Sequence, residues 1–250
     1  MSDEGAVRTV LLNRPEALNA LNGQMTDDLA DAFLEARDDE TVKVLLMTGA
    51  GKAFWAGADL KELGRGTHEP KHGFGSMINT LIDFPKPFVI AVNGVGVGIG
   101  ATVCGLADLV YMSETARLRC PFSALGLTAE AASTFSLPRL MGRQRASWFL
   151  FSAEWLSAKE CVEAGLALEA LPQEELLPRA MRQAQTLAAL PMTSLAKTKA
   201  LIMDPIRPEL RAAVRAENKG LAELSDGPAY KEALAAFREK RAPNFSDLGL

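Results

Sequence analysis

Cysteine and aromatic residues are scarce in this chain of 250 residues. The three cysteines, Cys104, Cys120 and Cys161, are odd in number and form no Cys-x-x-Cys pair. This pattern excludes a disulfide framework and predicts small, buried hydrophobic side chains in a reducing compartment. Because aromatics are few, alanine, valine and leucine must fill most of the core, and the length suffices for one large domain.

An excess of charge of one sign is also lacking, since the formal net charge is −4 and acids and bases are interspersed. No basic patch alternates with aromatics, so we expect no nucleic-acid partner. No apolar run reaches the length of a membrane span, so we expect no membrane partner. The acidic N-terminus, Met1-Ser2-Asp3-Glu4, has neither a signal-peptide nor an Arg-rich transit pattern, which predicts a cytoplasmic protein.

Histidine is limited to His68 and His72, which are four positions apart with Pro70 between them. A proline at that point disfavours a helical pair of metal ligands. We therefore expect solvated loop residues and no metal site.

Strand and helix patterns alternate over the first two thirds of the chain, and the last third is helical. This order predicts an α/β fold of stacked, similar units. A Gly-, His- and charge-rich stretch at 64–75 predicts a loop, and Pro205, Pro208 and Gly227-Pro228 predict breaks between the last helices. We predict strands at 7–12, 42–48, 88–92, 108–112, 116–119 and 167–170, and helices at 25–37, 77–84, 98–106, 131–141, 143–151, 158–164 and 174–190.

Two turns rich in glycine and alanine are the most informative feature. The first is Phe54-Trp55-Ala56-Gly57-Ala58-Asp59, and the second is Ala91-Val92-Asn93-Gly94-Val95-Gly96-Val97-Gly98-Ile99-Gly100. Turns with few side chains let a ligand reach the main chain. If they face each other, two N–H donors can hold one oxygen, which suits chemistry that builds negative charge on a carbonyl.

The chain resembles the crotonase (enoyl-CoA hydratase/isomerase) superfamily over nearly its whole length. The matching segments, in chain order, are Leu12-Asn13-Arg14-Pro15-Glu16-Ala17-Leu18-Asn19-Ala20-Leu21, Ala53-Phe54-Trp55-Ala56-Gly57-Ala58-Asp59-Leu60-Lys61, Lys86-Pro87-Phe88-Val89-Ile90-Ala91-Val92-Asn93-Gly94 with its glycine turn, Ala107-Asp108, Pro121-Phe122-Ser123 to Leu137-Pro138-Arg139-Leu140-Met141-Gly142, and Leu156-Ser157-Ala158 to Ala164-Gly165-Leu166.

The resemblance implies a crotonase (ClpP-like) spiral of β-β-α units with a helical C-terminal segment used in trimerisation. The expected division is a spiral core at 1–190, for acyl-CoA binding and catalysis, and an oligomerisation segment at 191–250. It further implies an acyl-CoA thioester as partner, self-association as a trimer or a dimer of trimers, and no cofactor, since coenzyme A is part of the substrate.

By motif, the two backbone N–H groups that hold the thioester oxygen in this family fall on Ala58 and Ile99. Both would lie at helix N-termini, where the dipole adds positive potential. The candidates for contacts with CoA phosphates, each equally an ordinary surface charge, are Arg14, Lys61, Lys240 and Arg241. The remaining substrate-binding residues that the resemblance implies are Ala17, Leu18, Ala56, Gly57, Asp59, Leu60, Gly98, Phe122 and Leu125.

Hydratases of this family carry two catalytic glutamates, and the corresponding positions here are Thr102 and Phe122. A different acid, Glu130, lies in a segment similar to that of Δ3-Δ2-enoyl-CoA isomerases. The resemblance therefore implies a catalytic Glu130 that shuttles a proton from C2 to C4 of a 3-enoyl thioester. An apolar wall would raise the pKa of its carboxyl group by desolvation.

Alternatives remain at this point. Glu130 also fits an ordinary first-turn acid on the following helix. The enzyme could be a hydratase, or catalyse another crotonase reaction, with an acid elsewhere such as Glu69. It could also bind acyl-CoA without catalysis. A dinucleotide fingerprint at 96–101 is a poor match because Arg117-Leu118-Arg119 replaces the acidic residue such sites need.

Overall fold

The computed structural model describes residues 1–59 and 70–248. Within them the strands form two sheets. The first sheet has the order β1-β2-β3-β5-β7-β10, and the second has the order β4-β6-β8-β9. The strands are β1 (Ser2–Glu4), β2 (Val7–Leu12), β3 (Val44–Gly49), β4 (Ala53–Trp55), β5 (Phe88–Val92), β6 (Val95–Val97), β7 (Leu109–Ser113), β8 (Arg117–Arg119), β9 (Trp155–Ser157) and β10 (Glu169–Leu171).

The α-helices lie between and after these strands, and short 3-10 turns occur at Pro15–Ala17, Val103–Leu106, Ser123–Leu125 and Ser246–Leu248. The α-helices are α1 (Gly23–Asp38), α2 (Gly73–Asp83), α3 (Ile99–Thr102), α4 (Ser133–Met141), α5 (Arg143–Ser152), α6 (Ala158–Ala164), α7 (Gln173–Ala188), α8 (Met192–Met203), α9 (Arg207–Leu224) and α10 (Pro228–Glu239).

The chain spirals because consecutive strands join different sheets. In each of the pairs β3–β4, β5–β6 and β7–β8, the first strand joins the larger sheet and the second the smaller one. Neighbouring strands from β2 to β10 in the larger sheet are parallel, as are β4, β6 and β8 in the smaller sheet. The predicted crotonase spiral is thereby confirmed.

Strand β3 shows how the core is built. All six of its residues are buried, as expected for a parallel strand covered on both faces. Val44 and Leu46 face a cluster that includes Leu176, Ala180 and Ala184 of α7, whereas Leu45 and Met47 face the main core. The three cysteines are buried and free, as predicted.

Several boundaries differ from the expectation. The predicted loop at 64–75 is helical from Gly73 onward, because the Asp27 carboxylate of α1 accepts hydrogen bonds from the N–H groups of Lys71 and His72, both 2.9 Å, just before α2 begins. His72 is half-buried, and its Nε2 lies 2.7 Å from Asp31 Oδ1. The prediction of a solvated loop residue at this position is therefore wrong.

The three-residue strands β4 and β6 occupy parts of the chain predicted as turns. Pro208 lies in the first turn of α9 and does not break the helix, because an N-terminal proline donates no N–H that the helix needs. The helix predicted from residue 131 begins at Ser133, since Ala131 and Ala132 are left-handed.

The division into 1–190 and 191–250 stays a prediction. Helix α9, in the second segment, packs against α2 and α4 of the first. This helix therefore contributes to the interior of its own chain.

Candidate active site

The two glycine- and alanine-rich turns lie side by side. Strands β4 and β6 are parallel neighbours, so the turns that follow them meet at the same edge of the smaller sheet. A Cβ atom added to Gly98 would lie 3.9 Å from Gly57 Cα, and one added to Gly57 would lie 3.0 Å from the Val97 carbonyl oxygen. The two backbones therefore approach each other with almost no side chain between them.

Glycine is required for this approach. Gly98 has φ +56°, in the left-handed region that favours glycine. A Cβ atom on Gly100 would lie 2.1 Å from the carbonyl oxygen of Trp55, which is backbone and cannot move aside. The first turn of α3 therefore packs directly on the end of β4. The Trp55 ring is fully buried in the core.

The N–H group of Ala58 is one candidate oxyanion donor. Leu21 N–H donates to the Gly57 carbonyl (2.7 Å), and Asp59 N–H donates to the Leu21 carbonyl (2.8 Å). These bonds engage the residues on either side of Ala58, as in a parallel bridge. Within residues 1–59 and 70–248, no acceptor is hydrogen-bonded to the Ala58 N–H itself.

The N–H group of Ile99 is the second candidate donor. Ile99 is the first residue of α3, so its N–H has no acceptor within the helix. The flanking Gly98 N–H is already used, since it donates to the Arg119 carbonyl at 2.9 Å. No acceptor in the described part of the chain takes the Ile99 N–H. Two unused donors thus lie on adjoining turns.

The segment around residues 14–21 holds the first turn in place. The fully buried Asn19 side chain donates to the carbonyl oxygens of Ala53 (2.8 Å) and Ala50 (2.9 Å), which secures β4. Arg14 pairs with Asp59 at 3.0 Å and also donates to the Ala20 carbonyl. Arg14 therefore braces the turn that carries Ala58.

Glu130 is a buried acid, not a solvated first-turn residue. Its side chain is 6% exposed, and Thr102 Oγ1 donates a hydrogen bond of 2.7 Å to Glu130 Oε1. Its other oxygen, Oε2, is buried and has no hydrogen-bond partner among the described residues. Burial raises the pKa of the Glu130 carboxyl group to about 8, against the lowering effect of the Thr102 hydrogen bond.

Thr102 connects the acid to the oxyanion donors. It ends the same four-residue helix, α3, that Ile99 begins. The Thr102–Glu130 hydrogen bond therefore ties the carboxyl group to the element that presents one of the N–H donors. Phe122 borders the second turn, since it is buried and its Cε1 lies 3.9 Å from the Cβ position of Gly98.

The other predicted substrate-binding residues border the two turns to different degrees. Ala56 donates its N–H to the Leu18 carbonyl at 3.1 Å, which places the exposed 3-10 segment around Ala17 beside the first turn. Leu125 is half-buried in the 3-10 turn that follows Phe122. Leu60, together with Lys61 and Glu69, lies outside the described residues.

Sequence reasoning missed two supporting side chains. At Thr102 the sequence indicates only that a catalytic carboxylate is lacking. Glu217 of α9, 4% exposed, accepts hydrogen bonds from Ala132 and Thr134, which follow Glu130. The sequence does hold a signal for Glu217, because it continues the apolar stripe of Leu210 and Val214. A charged residue on a buried helix face needs a polar partner.

The described ranges, 1–59 and 70–248, hold neither a cluster of metal ligands nor a membrane-spanning helix. In these ranges no three side chains among histidine, cysteine, aspartate and glutamate cluster as metal ligands do. Nor does any helix there have the length and apolar character needed to cross a membrane.

A spiral of β-β-α units defines the crotonase fold, and two backbone donors at one sheet edge suit chemistry that builds negative charge on a carbonyl oxygen. The chain belongs to the enoyl-CoA hydratase/isomerase family, whose model matches residues 2–248. It is 33% identical to the 1,2-epoxyphenylacetyl-CoA isomerase of Escherichia coli K12, over 97% of this chain and 96% of that protein.

Solved structures agree with this membership. An enoyl-CoA hydratase/isomerase from Pseudoalteromonas atlantica superposes with a TM-score of 0.93 at 33% identity, covering 98% of each chain. An enoyl-CoA hydratase from Mycobacterium marinum is 51% identical, with a TM-score of 0.79, and covers 82% of this chain and 98% of its own.

The names of further relatives divide between reactions. Some are called enoyl-CoA delta isomerases, including one from Rattus norvegicus of whose length this chain spans 56%, and others are called enoyl-CoA hydratases. Two of the names include the word mitochondrial, and one includes the word peroxisomal. The predicted cytoplasmic location and the trimer or hexamer stay predictions.

Proposed function

We propose that this enzyme shifts the double bond of a 3-enoyl-CoA to give the trans-2-enoyl-CoA, with Glu130 as the proton carrier. The observation that carries the proposal is the placement of one buried carboxyl group, Glu130, against the short helix whose first N–H is a candidate oxyanion donor. A base and an oxyanion site are the two elements that proton abstraction next to a thioester carbonyl requires.

The reaction proceeds in two proton transfers. The Glu130 carboxylate removes a proton from C2, and the electron pair of that C–H bond moves into the thioester carbonyl to form an enolate. The N–H groups of Ala58 and Ile99 stabilise the oxygen of this enolate. Glu130, now protonated, returns the proton to C4 as the C3–C4 double bond moves to C2–C3. Atoms and charge balance without water, metal or redox partner.

The environment of Glu130 suits a group that both accepts and donates the proton. A catalytic acid–base works best when its pKa lies near the working pH. Burial brings the pKa of Glu130 to about 8, close to neutrality, where an exposed glutamate would be a weak base. The unpartnered Oε2 leaves one oxygen unengaged for the substrate hydrogen.

Hydration is less well supported by this site. Adding water needs a further polar group to orient and deprotonate it, and the two positions at which hydratases of the family carry glutamate hold Thr102 and Phe122. Phe122 is apolar, and the Thr102 hydroxyl is already hydrogen-bonded to Glu130. A single carboxylate, Glu130, serves a proton shuttle, and the two hydratase positions supply no second acid for water.

The proposal is tested by a spectrophotometric assay with 3-hexenoyl-CoA and crotonyl-CoA, using the wild type, Glu130→Gln and a control. Glu174→Gln is a matched control because Glu174 is exposed at the start of α7. We expect the wild type and the control to isomerise 3-hexenoyl-CoA and not to hydrate crotonyl-CoA. Glu130→Gln should lose at least a hundredfold in kcat, within the usual contribution of a positioned acid–base.

Two results contradict the proposal. Hydration of crotonyl-CoA that survives in Glu130→Gln would assign catalysis to another acid. Binding of both thioesters by the wild type without turnover would favour a non-catalytic acyl-CoA-binding protein.

A further inference from the structure

The segment that carries Glu130 has an unfavourable backbone. Ala131 and Ala132 are both left-handed, with φ +59° and +57°. Residues with a Cβ atom rarely adopt this conformation, and two in succession require support from their surroundings. The support must also hold Glu130, because these are the two residues that follow it.

Glu217 supplies that support from the C-terminal part of the chain. Glu217 Oε2 accepts a hydrogen bond from Ala132 N–H at 2.6 Å. Its Oε1 accepts from Thr134 N–H at 2.9 Å and from the Thr134 hydroxyl at 2.6 Å. Helix α4 has no side-chain cap of its own at Ala132, so Glu217 takes the place of an N-cap residue.

The same helix also contacts the chain before Glu130. Gly220, almost one turn beyond Glu217, packs against Thr128, where an added Cβ atom would lie 3.0 Å from Thr128 Cγ2. Helix α9 therefore clamps the chain on both sides of Glu130. The packing of Leu210 and Val214 in the core fixes α9 itself.

We propose that Glu217 is a positioning residue whose carboxylate holds the Ala131–Ala132 turn and thereby fixes the Glu130 carboxyl group beside Thr102. The kinetic part of this inference rests on the proposed function. Glu217 does not touch the substrate in this scheme, and it acts through the backbone of residues 131–134. The C-terminal segment thus takes part in catalysis within its own chain.

Glu217 also acts on Glu130 through its charge. The negative charge of Glu217 contributes to the raised pKa of Glu130, alongside desolvation. The other facing groups are the Thr102 hydroxyl from α3 and the buried Cys120 thiol, which stays neutral because burial raises its pKa well above the usual value. Removing the Glu217 charge should therefore lower the pKa of Glu130.

The test compares Glu217→Gln with Ser157→Ala. The glutamine is isosteric, but its NH2 group would face one of the backbone N–H donors and cannot accept from it. Ser157→Ala is the control because it removes an N-cap, that of α6, away from the candidate site. Both variants lose a helix cap, so loss of stability alone should affect both alike.

We expect Glu217→Gln to lower kcat for 3-hexenoyl-CoA at least tenfold with KM within twofold of the wild type, whereas Ser157→Ala keeps both constants. A kcat of folded Glu217→Gln within twofold of the wild type would overturn the inference. So would a rise in KM that accounts for the whole loss of kcat/KM. If Glu217→Gln folds poorly, adding Ala132→Gly relieves the strain of the left-handed backbone but does not restore the carboxylate acceptor. The same limits on kcat and KM then apply to the double variant.

A second readout separates this inference from the proposed function. The Glu130 carboxyl group is titrated by 13C NMR in the wild type and in Glu217→Gln, which needs no turnover. Loss of the Glu217 charge lowers this pKa by itself, so positioning is read from the rise in the Glu130 pKa that Thr102→Val causes in each background. A rise in the wild type that is lost in Glu217→Gln supports the positioning role even if the wild type fails to isomerise 3-hexenoyl-CoA. A rise of the same size in both, or none in the wild type, overturns it.

Discussion

Replacing Thr102 with valine tests how the site sets the basicity of its acid. Thr102 Oγ1 donates to Glu130 Oε1 at 2.7 Å in a buried setting, and its contact with the Gly98 carbonyl is longer, at 3.3 Å. A hydrogen bond to a carboxylate stabilises the ionised form. Thr102→Val removes the hydroxyl and retains a similar shape, so it should raise the pKa of Glu130 further.

The size of the effect follows from the charge of the acceptor. A hydrogen bond to a charged group contributes about 1.5–3 kcal/mol, and 1.36 kcal/mol corresponds to one pKa unit, so the pKa should rise by about 1–2. From a starting pKa of about 8, the ionised fraction of Glu130 at pH 7 falls from roughly one tenth to between a hundredth and a thousandth.

The assay is the pH dependence of kcat/KM for 3-hexenoyl-CoA. At pH 7 we expect Thr102→Val to be about 10- to 100-fold slower than the wild type, with the two profiles converging as the pH rises above both pKa values. Thr102→Ser keeps the hydroxyl and should follow the wild type. A Thr102→Val profile that superimposes on the wild type, or moves to lower pH, would refute the role assigned to this hydrogen bond.

Two further predictions concern the oxyanion donor and the cost of burying the acid. Ile99→Pro should lower kcat/KM about 10²- to 10³-fold and keep a wild-type circular dichroism spectrum, because proline removes one N–H and is tolerated at the first helical position. The control is Ile99→Val, which keeps the donor. Equal losses of kcat/KM in both variants would assign the effect to packing and not to the N–H group. The folded-state pKa of Glu130, about 8, lies above its usual 4.5, so the ionised group opposes folding and stability should fall as the pH rises between these values. The free energy of unfolding of Glu130→Gln, measured by chemical denaturation, should exceed that of the wild type by up to about 5 kcal/mol at pH 9 and equal it near pH 4. A difference that stays constant across this pH range would contradict the raised pKa of Glu130.

The parts of the fold that could be predicted from the sequence depend on local backbone chemistry. Strands β2 and β5 follow from apolar runs that end at the turn residues Asn13 and Asn93, and the two glycine turns follow from segments with few side chains. The positions of Ala58 and Ile99 at adjoining turns were implied by family resemblance, and the parallel pairing of β4 and β6 explains why they adjoin. Three-residue strands such as β6, with the sequence Val-Gly-Val, carry too little pattern to predict.

The parts that could not be predicted depend on contacts between distant residues. Asp27 accepts hydrogen bonds from N–H groups at the start of α2, which lie 44 and 45 residues away in sequence. Glu217 does the same at the start of α4, where the N–H groups lie 83 and 85 residues away. In both cases a carboxylate on one helix accepts the free N–H groups at the beginning of another. Nothing in the sequence near either helix start shows which distant side chain will arrive there.

The site also shows why its chemistry depends on more than the presence of an acid. An exposed glutamate at position 130 would be ionised at neutral pH but too weakly basic to remove a proton next to a carbonyl efficiently. Burial corrects the basicity at the expense of stability, and the hydroxyl of Thr102 limits how far the pKa rises. In the proposed mechanism, Thr102 and Phe122 stand where hydratases carry glutamate, so the proton that Glu130 removes returns to the enolate. Under that proposal, burial and one hydrogen bond together set the basicity with which Glu130 moves a proton within the substrate.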